Sequence, residues 1–211
     1  MPKAPLIRTL VLLAALPALA SCAAVSALSS ATTPLDVLDL QPPADLPVSQ
    51  RRPLARDVII EEPTTGGALA TDRIMIRPGP LQAQYLPGLR WSEDAPIMLQ
   101  TLMLRSLDTT QAFQYVGRRP LGAGGDFAIV TELVDFHAEL APDGDSGRVV
   151  VRMISRIVRE QGLAIVATRT FAATGPVASL DDADIAAAFD AATGQVMSEF
   201  TRWTLSSLGA M

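Results

Sequence analysis

The chain has 211 residues, of which 49% are hydrophobic and 5% aromatic, so one domain with a mainly aliphatic core is expected. Its 17 basic and 22 acidic residues give a net charge of −5, which disfavours non-specific nucleic-acid binding because that depends on Lys and Arg at phosphates. A single cysteine and a single histidine exclude an intrachain disulfide and a metal site built from these two residue types.

The first 21 residues have the composition of an export signal. Lys3 and Arg8 precede an uncharged apolar run, residues 10–20, which is shorter than the roughly 20 residues that a membrane-spanning helix needs. Cys22 ends the sequence LASC, which resembles a lipobox, the site at which a bacterial lipoprotein is cut and acylated. We therefore predict a signal peptide over residues 1–21 and lipidation of Cys22. The alternatives are a buried free thiol and half of a disulfide, and a core cysteine is not expected inside an export signal.

The segment after Cys22 is predicted to be a tether. Residues 22–53 are rich in Ala, Ser, Thr and Pro, a composition typical of a partly extended linker, with one short strand expected at residues 35–40. The folded domain is then predicted over residues 54–211. Ala23, not Asp, follows Cys22, and under the common sorting rule this favours the outer membrane over the inner membrane.

Two short strands and a helix are predicted in the first half of the domain. Residues 57–61 and 73–77 are apolar runs bounded by turn residues, so both are predicted to be strands. Residues 94–108 are predicted to form a helix that Asp94 caps and that has Pro96 in its first turn. Apolar residues surround most of this helix, so it should be buried on more than one side.

The second half of the domain is predicted to contain three antiparallel strands and a closing helix. Residues 127–140, 148–159 and 163–172 alternate between apolar and polar positions, with PDGDSG as the first turn. In the first of these strands the even positions, such as Ala128, Val130 and Phe136, are expected to be apolar and inward-facing. In the second strand the inward residues are Val149, Val151, Met153 and Ile157.

The last helix is predicted to start at Ser179, in a capping box with Asp182, and to run to about residue 207. These elements predict an α+β fold: a mainly antiparallel sheet, including the C-terminal three-stranded meander, packed by two helices.

The chain has few candidates for catalysis. His137 shares one strand face with Asp135 and Glu139, an arrangement that suits a tuned base or a weak ion site, although a solvated strand face is the favoured interpretation. The glycine-rich residues 122–125 lack the Lys-Ser/Thr of a phosphate loop and lead into a strand, so they are interpreted as a plain turn. No catalytic residue and no metal site are predicted.

Two surfaces are candidates for binding. Arg148, Arg152 and Arg156 form a row on one strand face, which either meets anionic headgroups or an acidic partner, or, as favoured here, pairs with carboxylates of neighbouring strands. The segment YLPGLRW, residues 85–91, is predicted to be a Pro-Gly loop whose aromatic residues are either exposed interaction anchors or a plug beneath the first helix.

Four segments give the sequence a resemblance to a known family. Residues 73–107 contain a strand, a Tyr-Leu step, an Arg-Trp pair and a helix, and residues 126–140 are DFAIVTELVDFHAEL. A pair of strands ends in TRTFAATGPV, residues 168–177, and the closing helix ends in FTRW. In this order and spacing the segments resemble the ABC-type transport auxiliary lipoproteins. The similarity covers about residues 35–208 and agrees with the lipobox, whereas residues 41–71 depart from the family pattern.

The resemblance implies a non-enzymatic role beside a lipid-handling ABC transporter. Its implied partners are a protein with a mammalian-cell-entry (MCE) domain and the transporter's permease and ATPase, with a homo-oligomer compatible with this role. Tyr85, Leu86, Arg90 and Trp91 are the first candidates for the interface. No cofactor is expected besides acyl chains on Cys22. The alternatives are an envelope scaffold unrelated to lipid and an autonomous lipid carrier with a cavity between sheet and helices.

Overall fold

The computed structural model describes residues 35–122, 124–141 and 146–211, and all of these except Leu35 lie in a compact unit that extends from Asp36 to Met211. The elements of this unit, in chain order, are β1 (Asp36–Leu38), β2 (Leu54–Ile60), β3 (Thr64–Thr65), β4 (Arg73–Arg77), β5 (Gln84–Trp91), α1 (Ala95–Thr109), β6 (Phe113–Gly117), β7 (Phe127–Leu140), β8 (Gly147–Arg159), β9 (Ala164–Val177) and α2 (Asp182–Ser207).

All the strands join one mixed sheet that forks at β7. Along one edge β7 pairs antiparallel with β8, and β8 pairs antiparallel with β9. The other edge of β7 is shared by β2, β3 and β4, each of them parallel to it. The branch through β2 continues to β6, and the branch through β4 continues to β5 and β1.

The α+β class with two helices is confirmed, and the predicted meander corresponds to β7, β8 and β9. The prediction of a mainly antiparallel sheet is wrong, because five strand pairs are parallel: β1–β5, β2–β6, β2–β7, β3–β7 and β4–β7. The reason is that α1 and β6 lie in the chain between β2–β5 and β7. This long connection lets β2, β3 and β4 run in the same direction as β7.

Both helices cover one face of the sheet. α1 contacts β2, β6 and α2, while α2 contacts β8 and β9. Asp94 and Asp181 precede the two helices, but neither side chain makes a capping hydrogen bond, so the predicted cap at Asp94 is wrong. The predicted capping box is also wrong, since α2 begins at Asp182 and the Ser179 hydroxyl bonds Asp184 at 2.7 Å.

A β-bulge in β7 changes which of its side chains face the core. The register shifts between Leu133 and Asp135. Before the shift Phe127 and Ile129 belong to the core, and after it Phe136 does. The extra residue exchanges the two faces, because side chains alternate along a strand. The predicted even-numbered inward face is therefore correct only in the second half of the strand.

The fold begins earlier than predicted. β1 lies within the expected strand at residues 35–40 and pairs with the end of β5. Leu40 and Leu46 follow it and are only 5% and 7% exposed, and the Ser49 N–H donates to the Thr110 carbonyl at 2.8 Å. Residues 36–53 therefore belong to the folded unit, and the predicted boundary at residues 53 and 54 is wrong. This proline-rich segment is attached to the domain through the buried side chains of Leu40 and Leu46.

Candidate functional site

Trp91 is a core residue. Its side chain is 1% exposed, and its ring centroid lies 5.1 Å from that of Phe136 and 4.9 Å from that of Phe189. Segment 85–91 is also part of strand β5, not a loop. Of the two alternatives that the sequence left open, the plug inside the fold is correct. Trp91 as a partner-binding residue is therefore wrong, because a side chain this buried offers no surface to a partner.

Tyr85 and Arg90 remain accessible beside Trp91. Since successive side chains alternate along a strand, Arg90 points away from the helix-covered face into which Trp91 points. Arg73 of β4 is opposite Arg90 in register, and its guanidinium lies 4.6 Å from the centroid of the Tyr85 ring. Tyr85 and Leu86 are both half-buried, and both pack in part against the core. Two arginines and a tyrosine thus share one accessible surface.

Local contacts hold this surface in place. The Arg90 Nη1 atom lies 3.2 Å from an Asp72 carboxylate oxygen. The Tyr85 hydroxyl donates to the carbonyl of Ala68 at 3.0 Å, which fixes the tyrosine ring beneath Arg73. The adjacent turn of the β4–β5 hairpin carries Leu81, which is 98% exposed. We call Arg73, Leu81, Tyr85 and Arg90 the hairpin surface.

The predicted arginine row is mostly engaged in ion pairs. Arg148 binds Glu139 at 2.7 Å, and Arg152 binds Asp135 at 2.6 Å, each through Nε and Nη2. Such two-point pairing satisfies the guanidinium and leaves less of it for an external anion. Arg156 has no ion pair within the described residues. The favoured interpretation of the row, pairing with neighbouring carboxylates, therefore holds for Arg148 and Arg152.

His137 lies between the two carboxylates of these pairs. Its Nδ1 is 3.9 Å from Asp135 Oδ1 and its Nε2 is 3.5 Å from Glu139 Oε1, yet neither ring nitrogen has a hydrogen-bond partner. The side chain is 1% exposed, so the predicted solvated strand face is wrong at this residue. An imidazole with no access to solvent or substrate is poorly placed to act as a base.

The electrostatics of this cluster follow from burial and pairing. Burial lowers the pKa of His137 below its ordinary value of 6.5, Arg77 lowers it further, and Glu139 and Asp135 oppose the change. The hydrogen bond from Arg148 holds the pKa of Glu139 below its ordinary value. These shifts favour a neutral His137 beside an ionised Glu139. The ion pairs of Arg148 and Arg152 join β8 to β7, whereas the two unpartnered ring nitrogens of His137 carry a cost of desolvation.

A mixed-charge cleft of about 500 Å³ lies beside α1, which the sequence did not suggest. Asp39, Glu93, Arg105 and Arg118 contribute to its lining, and Arg118 Nη2 donates to Thr101 Oγ1 at 2.6 Å. These charges come from separate elements that only packing brings together, so no spacing in the sequence could indicate the cleft. Four charged side chains make it unsuitable for an acyl chain.

Several predictions concern membranes and metals. Cys22 and the whole predicted signal peptide lie outside the described residues. Among the helices that the structure describes, none has both the length and the apolar character needed to cross a bilayer. In the same part of the chain, no group of three or more His, Cys, Asp or Glu side chains is arranged to bind a metal ion.

A forked mixed sheet with two helices on one face and a well-filled core defines a small α+β domain without a recognisable catalytic centre in its described part. Residues 38–200 match the family described as the ABC-type transport auxiliary lipoprotein component, and the chain belongs to this family. The resemblance noted in the sequence is thereby confirmed. The family is one of lipoproteins, which places the chain in the cell envelope as an auxiliary component.

Solved structures share the fold. A Xanthomonas campestris protein of the DUF330 family is 23% identical, with a TM-score of 0.71, and the alignment covers 82% of this chain and 97% of that one. An uncharacterised protein is 15% identical, with a TM-score of 0.58, over 76% of this chain and 99% of that one. These identities establish the fold and not a shared activity. A search of curated proteins gave no match.

Proposed function

We propose that the chain is a lipid-anchored, periplasm-facing accessory component of an ABC transport system whose partner carries an MCE domain. The system would move phospholipid or another hydrophobic molecule across the cell envelope. Family membership supports the transport role, and the LASC sequence supports acylation of Cys22 as the anchor. Ala23 after Cys22 supports the outer membrane as the destination. The acyl chains are the only prosthetic groups in this proposal.

The filled interior of the domain supports a role in docking to a partner protein over a role in carrying a lipid. A lipid carrier needs an apolar cavity, and the place for one would be between the sheet and the helices. Two groups of aromatic rings fill that space, with centroid separations of 4.9 to 6.3 Å: Trp91, Phe136 and Phe189 in one group, and Phe171, Phe200 and Trp203 in the other. This packing is the observation that carries the proposal, because it leaves the exterior as the functional part of the domain.

The hairpin surface is the proposed docking site. Tyrosine and arginine are enriched among residues that dominate protein interfaces, and Leu81 offers a fully accessible apolar group next to them. Arg73 and Tyr85 are already stacked on each other, so little side-chain freedom would be lost on binding. Of the original candidates, Tyr85 and Arg90 stay in this proposal, because the Tyr85 ring stacks with Arg73 and Arg90 lies opposite Arg73 in register. Buried Trp91 leaves the proposal, and the fully accessible Leu81 replaces Leu86, which is half-buried like Tyr85.

The anchor would position this surface near a membrane. Residues 23–35 separate Cys22 from the compact unit, and an extended chain of that length spans at most about 45 Å. The domain could therefore meet a partner assembly that extends from the opposite membrane, while the acyl chains hold it in place. In this proposal the chain performs no chemical step and acts by binding.

The test is affinity purification from solubilised membranes with a tagged full-length chain, followed by mass spectrometry. We expect an MCE-domain protein together with its permease and ATPase. Leu81→Asp and Tyr85→Ala should each reduce recovery of these partners at least tenfold, because a central interface residue contributes about 2 kcal/mol or more. Recovery of none of them with the acylated wild-type chain would contradict the proposal and favour an envelope scaffold.

Leu121→Asp is the matched control. Leu121 is 73% exposed in the connection between β6 and β7, so the substitution adds the same charge to another accessible leucine, away from the hairpin surface. Its partner recovery should equal that of the wild type. Equal loss in Leu81→Asp and Leu121→Asp would mean that the added charge acts generally, and the hairpin surface would then be the wrong site.

A further inference from the structure

β9 is a long edge strand with one side unpaired. Thirteen of its 14 residues pair with β8, and no hydrogen bond within the described residues reaches the backbone groups on its other side. Free N–H and C=O groups along a strand edge are a template for another strand. An exposed edge of this length is expected either to be blocked against pairing with other chains or to pair with a partner strand.

The usual protection is missing from β9. Edge strands are normally blocked by charges, prolines or short length. Within Ala164–Val177, Arg169 is the only charged residue, and Pro176 is the only proline and lies next to the end of the strand. Arg169 is itself neutralised by Glu199 of α2 at 3.3 Å. The central part of the edge therefore presents a nearly uncharged backbone.

α2 runs along the same strand and enlarges the lateral surface. A Cβ on Gly175 would lie 2.5 Å from the carbonyl oxygen of Ala188, and Arg169 reaches Glu199 further along the helix. An edge of 13 paired residues is about 44 Å long, and a sheet with one helix layer is about 20 Å thick. Their product, about 900 Å², meets the roughly 800 Å² per partner that a stable interface needs.

The length of the β9 edge indicates which strand could pair with it. The other strands of the described sheet that have one unpaired side are β1, with 3 residues, β3, with 2 residues, and β6, with 5 residues. None of them could cover more than part of β9, whereas β9 of a second copy matches it along its length. Because the edge is almost uncharged, two copies can also approach despite the net charge of −5 on each.

We propose that two copies of this chain pair through antiparallel β9 strands, so that their sheets continue into one another. Such a pair has a two-fold axis normal to the sheet, the commonest symmetry of homo-oligomers. The helices of both copies then lie on the same side. The proposal concerns a surface distinct from the hairpin surface and does not depend on the transport role.

The symmetry restricts the register. Under this two-fold axis one residue of β9 must lie opposite itself. Arg169 would place two like charges opposite each other, which is destabilising, and Phe171 is fully buried beneath α2. Thr170 is exposed on the face without helices, and opposed threonines form favourable cross-strand pairs. Thr168 and Thr174 are also exposed on this face, but an axis at either residue would leave more of each strand unpaired, because Thr170 lies at the middle of Ala164–Val177. Thr170 is therefore placed on the axis, with Thr168 of one copy opposite Ala172 of the other.

Cysteine cross-linking tests this register in the full-length chain in solubilised membranes. Thr170→Cys should give a covalent dimer on mild oxidation, since residues opposed across a strand pair have Cα separations of about 4.5–5.5 Å, within the range for a disulfide. Thr168→Cys should give at least tenfold less dimer, because its two copies would be offset by four residues, about 13 Å. The wild-type chain controls for any contribution of Cys22.

Gln114→Cys is the matched control, because Gln114 is an exposed residue of the edge strand β6. Equal dimer yields at Thr170, Thr168 and Gln114 would overturn the proposal, as would cross-linking of Thr170→Cys only to a different protein. In a second measurement, Thr170→Asp should convert the dimer to a monomer by light scattering, while Thr170→Val leaves it dimeric. A wild-type chain that is monomeric at micromolar concentration would also overturn the proposal.

Discussion

His137 Nε2 lies 3.5 Å from Glu139 Oε1, yet the imidazole is 1% exposed on the sheet face that lacks helices. The His137 ring is buried because charged side chains of β7 and β8 surround it. Asp135 and Glu139 flank the ring along β7, and each is held by an arginine of β8 at 2.6 or 2.7 Å. Ion pairs thus cover part of the sheet face without helices, whereas apolar side chains cover the face that packs against the helices. The stability of the sheet should depend on the protonation of the histidine that this layer encloses.

Acidification from pH 7.5 to 5.5 should destabilise the wild-type domain through His137. Because burial lowers the pKa of His137 in the folded state, the unfolded chain takes up a proton first as the pH falls through 6.5. The free energy of unfolding then decreases, by no more than about 1.4 kcal/mol per pH unit. Glu139 changes its contribution only at lower pH, since its pKa is lowered from an ordinary value of 4.5.

Urea unfolding at both pH values measures this effect, with His137→Leu as the control. Leucine removes the titrating group and keeps a side chain suited to a buried site. The variant should lose less stability than the wild type between pH 7.5 and 5.5. An equal loss in the two proteins would show that groups other than His137 cause the pH dependence.

The Asp135–Arg152 pair should show a measurable coupling energy. Both guanidinium atoms Nε and Nη2 bind the carboxylate at 2.6 Å, and Asp135 is only 14% exposed. A double-mutant cycle with alanine at both positions should give about 1 kcal/mol at low salt and less at 1 M salt. A second cycle that pairs Asp135 with Arg156, which has no ion pair within the described residues, should give a coupling energy near zero. Equal coupling for the two arginines would contradict the structure.

Two glycines should respond to alanine in opposite directions. At Gly175 the new methyl group would lie 2.5 Å from the Ala188 carbonyl oxygen, so α2 must shift, and we expect a loss of about 1–3 kcal/mol. At Gly194, inside α2, nothing lies within 4 Å of the new methyl group, and alanine should stabilise the helix by about 0.5–1 kcal/mol. Thermal unfolding of both variants checks this prediction, which fails if Gly175→Ala is as stable as the wild type.

Trp91→Ala should destabilise the domain by about 3–5 kcal/mol, because it removes a ring packed between Phe136 and Phe189. Tyr85→Ala removes a half-buried ring at the margin of the core and should cost less. Denaturant titration distinguishes the two. A small loss for Trp91→Ala would indicate that the side chain is accessible after all and would return it to the set of interface candidates.

Local patterns in the sequence were sufficient for β8 and for the positions of both helices. Val149, Val151 and Met153 alternate with the arginines, and the alternation alone identifies their buried face. In β7 the same reasoning fails halfway, because one extra residue at the bulge exchanges the faces and leaves no mark on composition. Prolines made residues 36–53 resemble a linker, whereas Leu40 and Leu46 tie them to the core.

By itself, the sequence determined the α+β class, the antiparallel order of the last three strands and the family, since these depend on local periodicity and on motifs in a fixed order. Only the tertiary structure decided that β2, β3 and β4 run parallel to one edge of β7, that Trp91 and His137 are buried, and that β9 has a free edge. These properties depend on contacts between residues distant in the chain. Neither composition nor spacing specifies such contacts, because the same alternating strand can pair on either side and in either direction.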